Sequence, residues 1–268
     1  MWASSTSSSN SPRMEIVFVG AGRLATQLAK ALHAKGHAIR AVYSRTLASA
    51  QTLADAVGAA ATDSLAELPL QADVFIVAVA DAALQQVADA LMQGRSQATV
   101  LHTAGSMPMQ VLEGFAHHGV LYPMQTFSKE RPVDFAQVPF FIEGNGSHAL
   151  QVARQLASSL SESIYELSSE ERRYLHLAAV FACNFSNHCY ALASRILQQH
   201  GLPFSVMLPL IDETTQKVHV MEPQQAQTGP AVRYDKNVMA AHIQLLSQEP
   251  RMQQVYALMS QSIHGFST

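Results

Sequence analysis

The chain has 268 residues, 48% of them hydrophobic and 14% charged, enough for one large domain or two smaller ones with true cores. A net charge of −3 and a pI of about 6.4 exclude the basic footprint that nucleic acid or an anionic membrane surface would require. No apolar run reaches the ~18–20 residues of a membrane span.

Nine of residues 1–13 are Ser, Thr, Asn or Ala. They lack the apolar core of a signal peptide and read as a disordered tail. The fold is expected to begin near Met14. Ile16-Val17-Phe18-Val19 shows no polar alternation, the mark of a strand buried on both faces. From Leu24 onward Leu28, Ala29, Ala31 and Leu32 recur at helical spacing. Between strand and helix lies Gly20-x-Gly22-x-x-Ala25, the pattern of a dinucleotide-binding turn. In that reading Gly20 makes the turn and Gly22 lets backbone approach a diphosphate. Ala25 lets the helix pack close, while Ala21, Arg23 and Leu24 complete the cradle at the helix start.

The first helix stops at Lys35-Gly36. A second strand, Ala38 to Tyr43, runs into Ser44-Arg45-Thr46. An NAD site carries an acid at about this distance, to hold the ribose 2′-hydroxyl. Here an arginine stands between two hydroxyls, a set suited to a 2′-phosphate, so NADP (as NADPH) is the expected cofactor. Leu47 to Val57 reads as a helix, with a short turn at 63–68. Ala72 to Val79 reads as the next buried strand. Val79-Ala80-Asp81 should edge the cofactor at its carboxyl end, and Asp81 has the residue type of a helix cap. A strand at 98–101 leads to His102-Thr103-Ala104-Gly105-Ser106, which should face the nicotinamide, with Thr103 on the cofactor. His102 either joins the substrate site or satisfies buried loop backbone. A helix around Met109 to Leu112 comes next. His117 and His118 precede a strand at 119–122, and adjacent residues do not share a helix face, so no metal site is expected there. Gln125 and Thr126 follow at the strand end as candidate substrate contacts. A strand at 139–144, a helix at 147–160 and a short strand at 164–167 complete this half.

The alternation predicts an α/β Rossmann fold, a doubly wound parallel sheet over residues 14–167. A smaller all-α C-terminal domain, 168–268, should follow. Ser168-x-x-Glu171 is a capping box opening a long helix to about His200. Further helices are expected over 204–220, 232–247 and 250–263. His176, Val180, Asn184 and His188 are spaced by four, a slanting stripe on one side of the long helix. His176 suits a proton donor, and Asn184 either orients a substrate carbonyl or packs with the stripe against Tyr122 to Thr126. His188 is better read as packing. Thr228-Gly229-Pro230 is a turn before a helix, and Arg233 beyond it either reaches an anionic group of a substrate, meets another subunit, or forms a structural salt bridge with a neighbouring helix. Cys183 and Cys189 make neither a disulfide framework nor a metal knuckle; they suit a reducing compartment, and a cytoplasmic location is expected.

Several of these segments together resemble a bacterial family that joins a Rossmann-like NADP-binding domain to an all-helical domain of unestablished function. The matching pieces are the glycine turn, Val79-Ala80-Asp81, His102 to Ser106, Tyr122-Pro123-Met124-Gln125-Thr126-Phe127, His176 to Phe185 and Thr228-Gly229-Pro230-Ala231-x-Arg233-x-Asp235. By that resemblance the helical domain is similar to the C-terminal domains of 6-phosphogluconate dehydrogenase and its relatives, among them pyrroline-5-carboxylate reductase and ketopantoate reductase. It implies a nicotinamide cofactor and a homodimer through the helical domain. The expected function is an NADP-dependent reductase of a small C=O or C=N substrate held between the domains. The alternative is a non-catalytic NADP-binding sensor or scaffold.

Overall fold

A computed structural model of the chain describes residues 12–267. All but the end of the tail read at residues 1–13 lies outside the described residues. An eight-stranded sheet dominates the first half. Its strands are β1 (Glu15–Val19), β2 (Ala38–Tyr43), β3 (Ala60–Thr62), β4 (Val74–Val77), β5 (Thr99–His102), β6 (His117–Pro123), β7 (Phe140–Gly144) and β8 (Ile164–Glu166). The spatial order is β3-β2-β1-β4-β5-β6-β7-β8. From β3 through β6 every pairing is parallel.

The period of two along β1 builds two cores. Ile16 and Phe18 enter a cluster with residues of α1 (Arg23–Ala34), α2 (Leu47–Val57) and α4 (Ser147–Leu160). Val17 and Val19 face the opposite cluster, with Leu84, Ala88 and Leu91 of α3 (Asp81–Leu91) and with Val111 and Leu112. Successive side chains of a strand point to opposite faces, so a continuous apolar run is what a sheet covered on both sides needs.

The sheet is mostly parallel, with two departures at its far edge. β7 pairs with β6 in the antiparallel sense, and β8 runs with β7. The link from β6 to β7 holds only the short 3₁₀ turn Phe135–Gln137. Without a crossover helix the chain returns antiparallel. α4 then supplies the crossover that makes β7 and β8 parallel. β3, a strand of three residues, was not expected, and the helix expected at Met109–Leu112 is a 3₁₀ turn. His117 and His118 lie within β6 rather than before it.

After β8 the chain is helical. α5 (Ser169–Ala179) opens with the expected capping box, since the Ser168 side chain accepts from the Glu171 N–H and Glu171 accepts from the Ser168 N–H. A π-helical turn, Val180–Phe185, separates α5 from α6 (Ser186–Gln199). Two compact units divide between Cys183 and Asn184. The change from sheet to helix thus falls near Leu167, while α5 belongs to the first unit. The second unit comprises α6, the 3₁₀ turn Phe204–Met207, α7 (Leu208–Lys217), α8 (Pro223–Ala226), α9 (Lys236–Leu245) and α10 (Pro250–Ser267). Of its described residues only Ala231, Met252 and Ser260 are buried.

Candidate functional site

The carboxyl end of β1 turns sharply at Gly20, whose φ is +124°. That conformation is open to glycine and strained for other residues. A β-carbon there would also run into the carbonyl oxygen of Ala78, just past β4. Two turns, after β1 and after β4, are therefore pressed together by the absence of a side chain. Gly22 differs. It is the N-cap of α1 and supplies no side-chain cap; the first turn holds no acid, and nothing lies within 4 Å of where its β-carbon would be. The N–H groups that open α1, at Gly22 through Ala25, have no partner within the helix and carry the positive end of its dipole, with buried Ala21 just before them. A diphosphate fits this arrangement on charge and on room.

Ser44, Arg45 and Thr46 leave the end of β2. Arg45 is exposed and makes no ion pair among the described residues. The Thr46 hydroxyl donates to Ser49 Oγ at 2.8 Å. No acid stands among Ser44, Arg45 and Thr46 themselves.

Val79 and Ala80 follow β4 on the same edge, and Asp81 begins α3. The N-cap is Ala80, without a side-chain bond, so Asp81 does not cap as its residue type suggested. As the first helical residue it instead accepts from the Ser106 hydroxyl, tying the turns after β4 and β5 together. Thr103 is buried, its N–H donating to the Val77 carbonyl at 3.2 Å.

His102 is wholly buried, and its Nδ1 accepts from the Ala104 N–H at 3.1 Å. Burial, reinforced by the nearby Arg172 guanidinium, lowers its pKa to about 3. The Pro108 carbonyl favours the charged form only weakly, and Nε2 has no well-formed hydrogen bond. The imidazole is enclosed and serves the loop through its Nδ1.

The catalytic candidate His176 comes to the same edge on α5. Its Nδ1 lies 3.1 Å from the hydroxyl of Tyr122, at the end of β6. What holds α5 there is buried Arg172, one turn earlier. Its guanidinium donates to Glu143 of β7 at 2.5 Å and to the Met107 carbonyl at 2.6 Å. Ser169 adds bonds to Glu143 and accepts from the Met109 N–H at 2.8 Å. Tyr122 stands in the Tyr122 to Phe127 motif, where the sequence by itself assigns it no role. Its partner lies 54 residues away, and no spacing rule joins a strand end to a helix that far along.

Asn184, the other catalytic candidate, is exposed at the start of the second unit. The π-helical turn widens the local helix, so the i, i+4 stripe read from His176 to His188 does not carry through on simple helical geometry. Arg233 is exposed before α9. Asp235, read with it, caps α9 by accepting from the Val238 N–H. Between them Tyr234 takes a left-handed φ of 52° and stacks on His264 at 4.2 Å.

Gln125 and Thr126 are exposed and line a cleft of about 300 Å³ with Ser128, Arg131, Val133 and Asp134. Buried Gln27 of α1 fixes this loop: its amide donates to the carbonyls of Ser128 at 2.7 Å, Lys129 at 3.2 Å and Arg131 at 3.2 Å. Among the described residues no group of three His, Cys, Asp or Glu side chains is placed to hold a metal.

The sheet order, the glycine turn and the open helix start define a Rossmann-like protein. Residues 2–126 match the model of a Rossmann-like domain, and residues 138–263 match that of a domain of unknown function, DUF2520. A provisionally assigned NADP oxidoreductase from Bacteroides fragilis is 52% identical, with a TM-score of 0.91 over 94% of this chain and 98% of that one. The chain belongs to this family of Rossmann-like proteins with a DUF2520 domain. An imine reductase from Myxococcus stipitatus, solved with NADP+, shares the fold at 18% identity, a TM-score of 0.64, and 95% and 93% coverage. So does a pyrroline-5-carboxylate reductase from Coxiella burnetii, at 15% identity, a TM-score of 0.59, and 96% and 98% coverage. No curated protein matches the chain.

Proposed function

We propose that the protein is an NADP-dependent reductase of a small C=O or C=N compound, acting at the carboxyl edge of the sheet. The observation that carries this reading is the pairing of an uncapped, open α1 start behind Gly20 and Gly22 with the unpaired Arg45 at the end of β2. The assignment of the Bacteroides fragilis relative points the same way.

NADPH, when bound, would supply a hydride to the substrate carbon. The first-turn N–H groups of α1 would hold its diphosphate. Arg45, Ser44 and Thr46 would grip the 2′-phosphate, and the backbone of Val79 and Ala80 would border the cofactor. His176 would hold a proton for the oxygen or nitrogen that gains charge as the carbon is reduced. His102, neutral and enclosed, would take no part in that transfer.

A homodimer through the helical unit belongs to the same reading. Leu245 is 82% exposed, Val220 80% and Phe266 76%, with Leu258 and Leu210 also mostly uncovered. Apolar exposure on this scale marks a surface that meets another. The exposed thiols of Cys183 and Cys189 fit a reducing compartment.

The test is fluorescence titration with NADPH and NADH, followed by NADPH oxidation across a panel of oxo acids and cyclic imines. Tight NADPH binding with turnover of one class supports the reading. Binding without turnover replaces it with a sensor, and absence of binding overturns it.

A further inference from the structure

Three elements of the first unit converge on one side of the His176 imidazole. Tyr122 comes from the end of β6, Gly105 from the loop after β5, and His176 itself from α5, four residues beyond the buried Arg172. The phenol oxygen and Nδ1 are 3.1 Å apart. The rings meet edge-on, 68° between planes, with centroids 6.1 Å apart. Gly105 is buried against both: a β-carbon there would lie 2.5 Å from Nδ1 and 2.9 Å from the phenol Cζ. Real β-carbons do not approach that closely, so glycine is what lets the two rings meet.

The phenol's protonation follows from its surroundings. Burial raises its pKa, and Asp81 and Cys183 act in the same sense, with Arg172 opposing. A phenol that keeps its proton has an O–H to give, and the atom within reach is Nδ1. When Nδ1 of a neutral imidazole accepts, the ring proton resides on Nε2.

We propose that Tyr122 is a positioning residue for His176. Its hydroxyl engages Nδ1, fixes the ring, and leaves Nε2 as the N–H bearing atom. Gly105 is part of the same device, because it alone clears the space in which the pair forms. The proposal rests on the reductase reading only for what the oriented imidazole does; the orientation is a property of the protein by itself.

The test therefore needs neither cofactor nor substrate. Full-length protein labelled with ¹⁵N-histidine is observed by long-range proton–nitrogen correlation at alkaline pH. His176→Gln assigns the resonance. The wild-type ring is expected as a single tautomer protonated on Nε2. Tyr122→Phe keeps ring and volume and removes the hydroxyl, and the two nitrogen shifts should move toward each other as both tautomers become populated. Gly105→Ala keeps the hydroxyl but wedges the pair apart, and should give the same signature. Unchanged shifts in Tyr122→Phe overturn the proposal. If a turned-over substrate is found, Tyr122→Phe should lower kcat roughly tenfold and leave the KM for NADPH in place, a smaller loss than the ~10²–10⁴-fold expected for a missing general acid in His176→Gln. Loss of turnover in Tyr122→Phe with full turnover in His176→Gln would make the phenol itself the acid and overturn the positioning role. A protein that shows the tautomer change but reduces nothing would sink the reductase reading and leave this one standing.

Discussion

Arg172 and Glu143 meet 2.5 Å apart, with the arginine side chain 1% exposed and the glutamate 15%. The pair joins the first turns of α5 to β7, so the helix that carries His176 is anchored by charge as well as by its capping box. Buried pairs of this kind repay their desolvation only when both partners are present. Arg172→Met should cost about 3–5 kcal/mol in urea unfolding, because it leaves the carboxylate uncompensated. Replacing both, with Arg172→Met and Glu143→Leu together, should cost less than that single change. A double variant worse than the single one would show that the charges are not the issue.

Gly20→Ala should damage the fold and the nucleotide site together. The new methyl has the Ala78 carbonyl in its way and the backbone sits at φ +124°. Strain of about 1–3 kcal/mol should appear in denaturant melts, and NADPH titration should show weakened binding. Gly22→Ala is the useful contrast, since its β-carbon meets open space. It should spare stability while still crowding a bound diphosphate.

Arg45→Ala should separate the two nicotinamide cofactors. Loss of a hydrogen bond to a charged group is worth about 1.5–3 kcal/mol, or roughly ten- to a hundredfold in the Kd for NADPH. NADH binding should stay where it was. Equal losses for both would place Arg45 away from the 2′ position.

The parts legible in the sequence are those with a period. The unbroken apolar run of β1 and the helical spacing after Gly22 located the nucleotide turn, and Ser168 with Glu171 located the start of α5. β3 escaped because Ala60-Ala61-Thr62 has too little apolar bulk to read as a strand; pairing with β2 makes it one. Asp81 was misread because an N-cap and a first helical residue differ by one position, and only the Ser106 hydroxyl settles which oxygen goes where. The reversal of β7 was hidden in a connection whose length resembles a crossover but whose sequence makes no helix. Tyr122 and Gly105 matter through three-dimensional neighbours, for which a single sequence carries no signal.

His102 should make the fold sensitive to mild acid. The unfolded chain takes up its proton near the ordinary value of 6.5, the folded one only near 3. Between these values the unfolded state binds the extra proton, so stability falls as pH drops from about 6.5 toward 3 and gains nothing from this group above 6.5. The slope from one such residue approaches ~1.4 kcal/mol per pH unit. Burial lowers His37 as well, which adds in the same direction. His102→Asn offers an oxygen where Nδ1 stood and should flatten the acid limb of urea midpoint against pH. An unaltered limb would assign the acid sensitivity elsewhere.

Leu258→Glu tests association through the helical unit. Leu258 is 68% exposed, and a charge there should be harmless to a lone chain but costly inside an apolar interface. Sedimentation velocity should show a dimer for the unmodified protein and a shift toward monomer for the variant. A wild-type monomer at micromolar concentration would remove the dimer from the reading.

The carboxamide of Gln27 leaves one further consequence. It reaches from the helix that opens the nucleotide turn to three carbonyls about a hundred residues downstream. The rim bearing Gln125 and Thr126 is thus tethered to the element on which a diphosphate would rest. Filling the one should quieten the other, so slower amide exchange along Ser128 to Arg131 on addition of nucleotide would report occupancy.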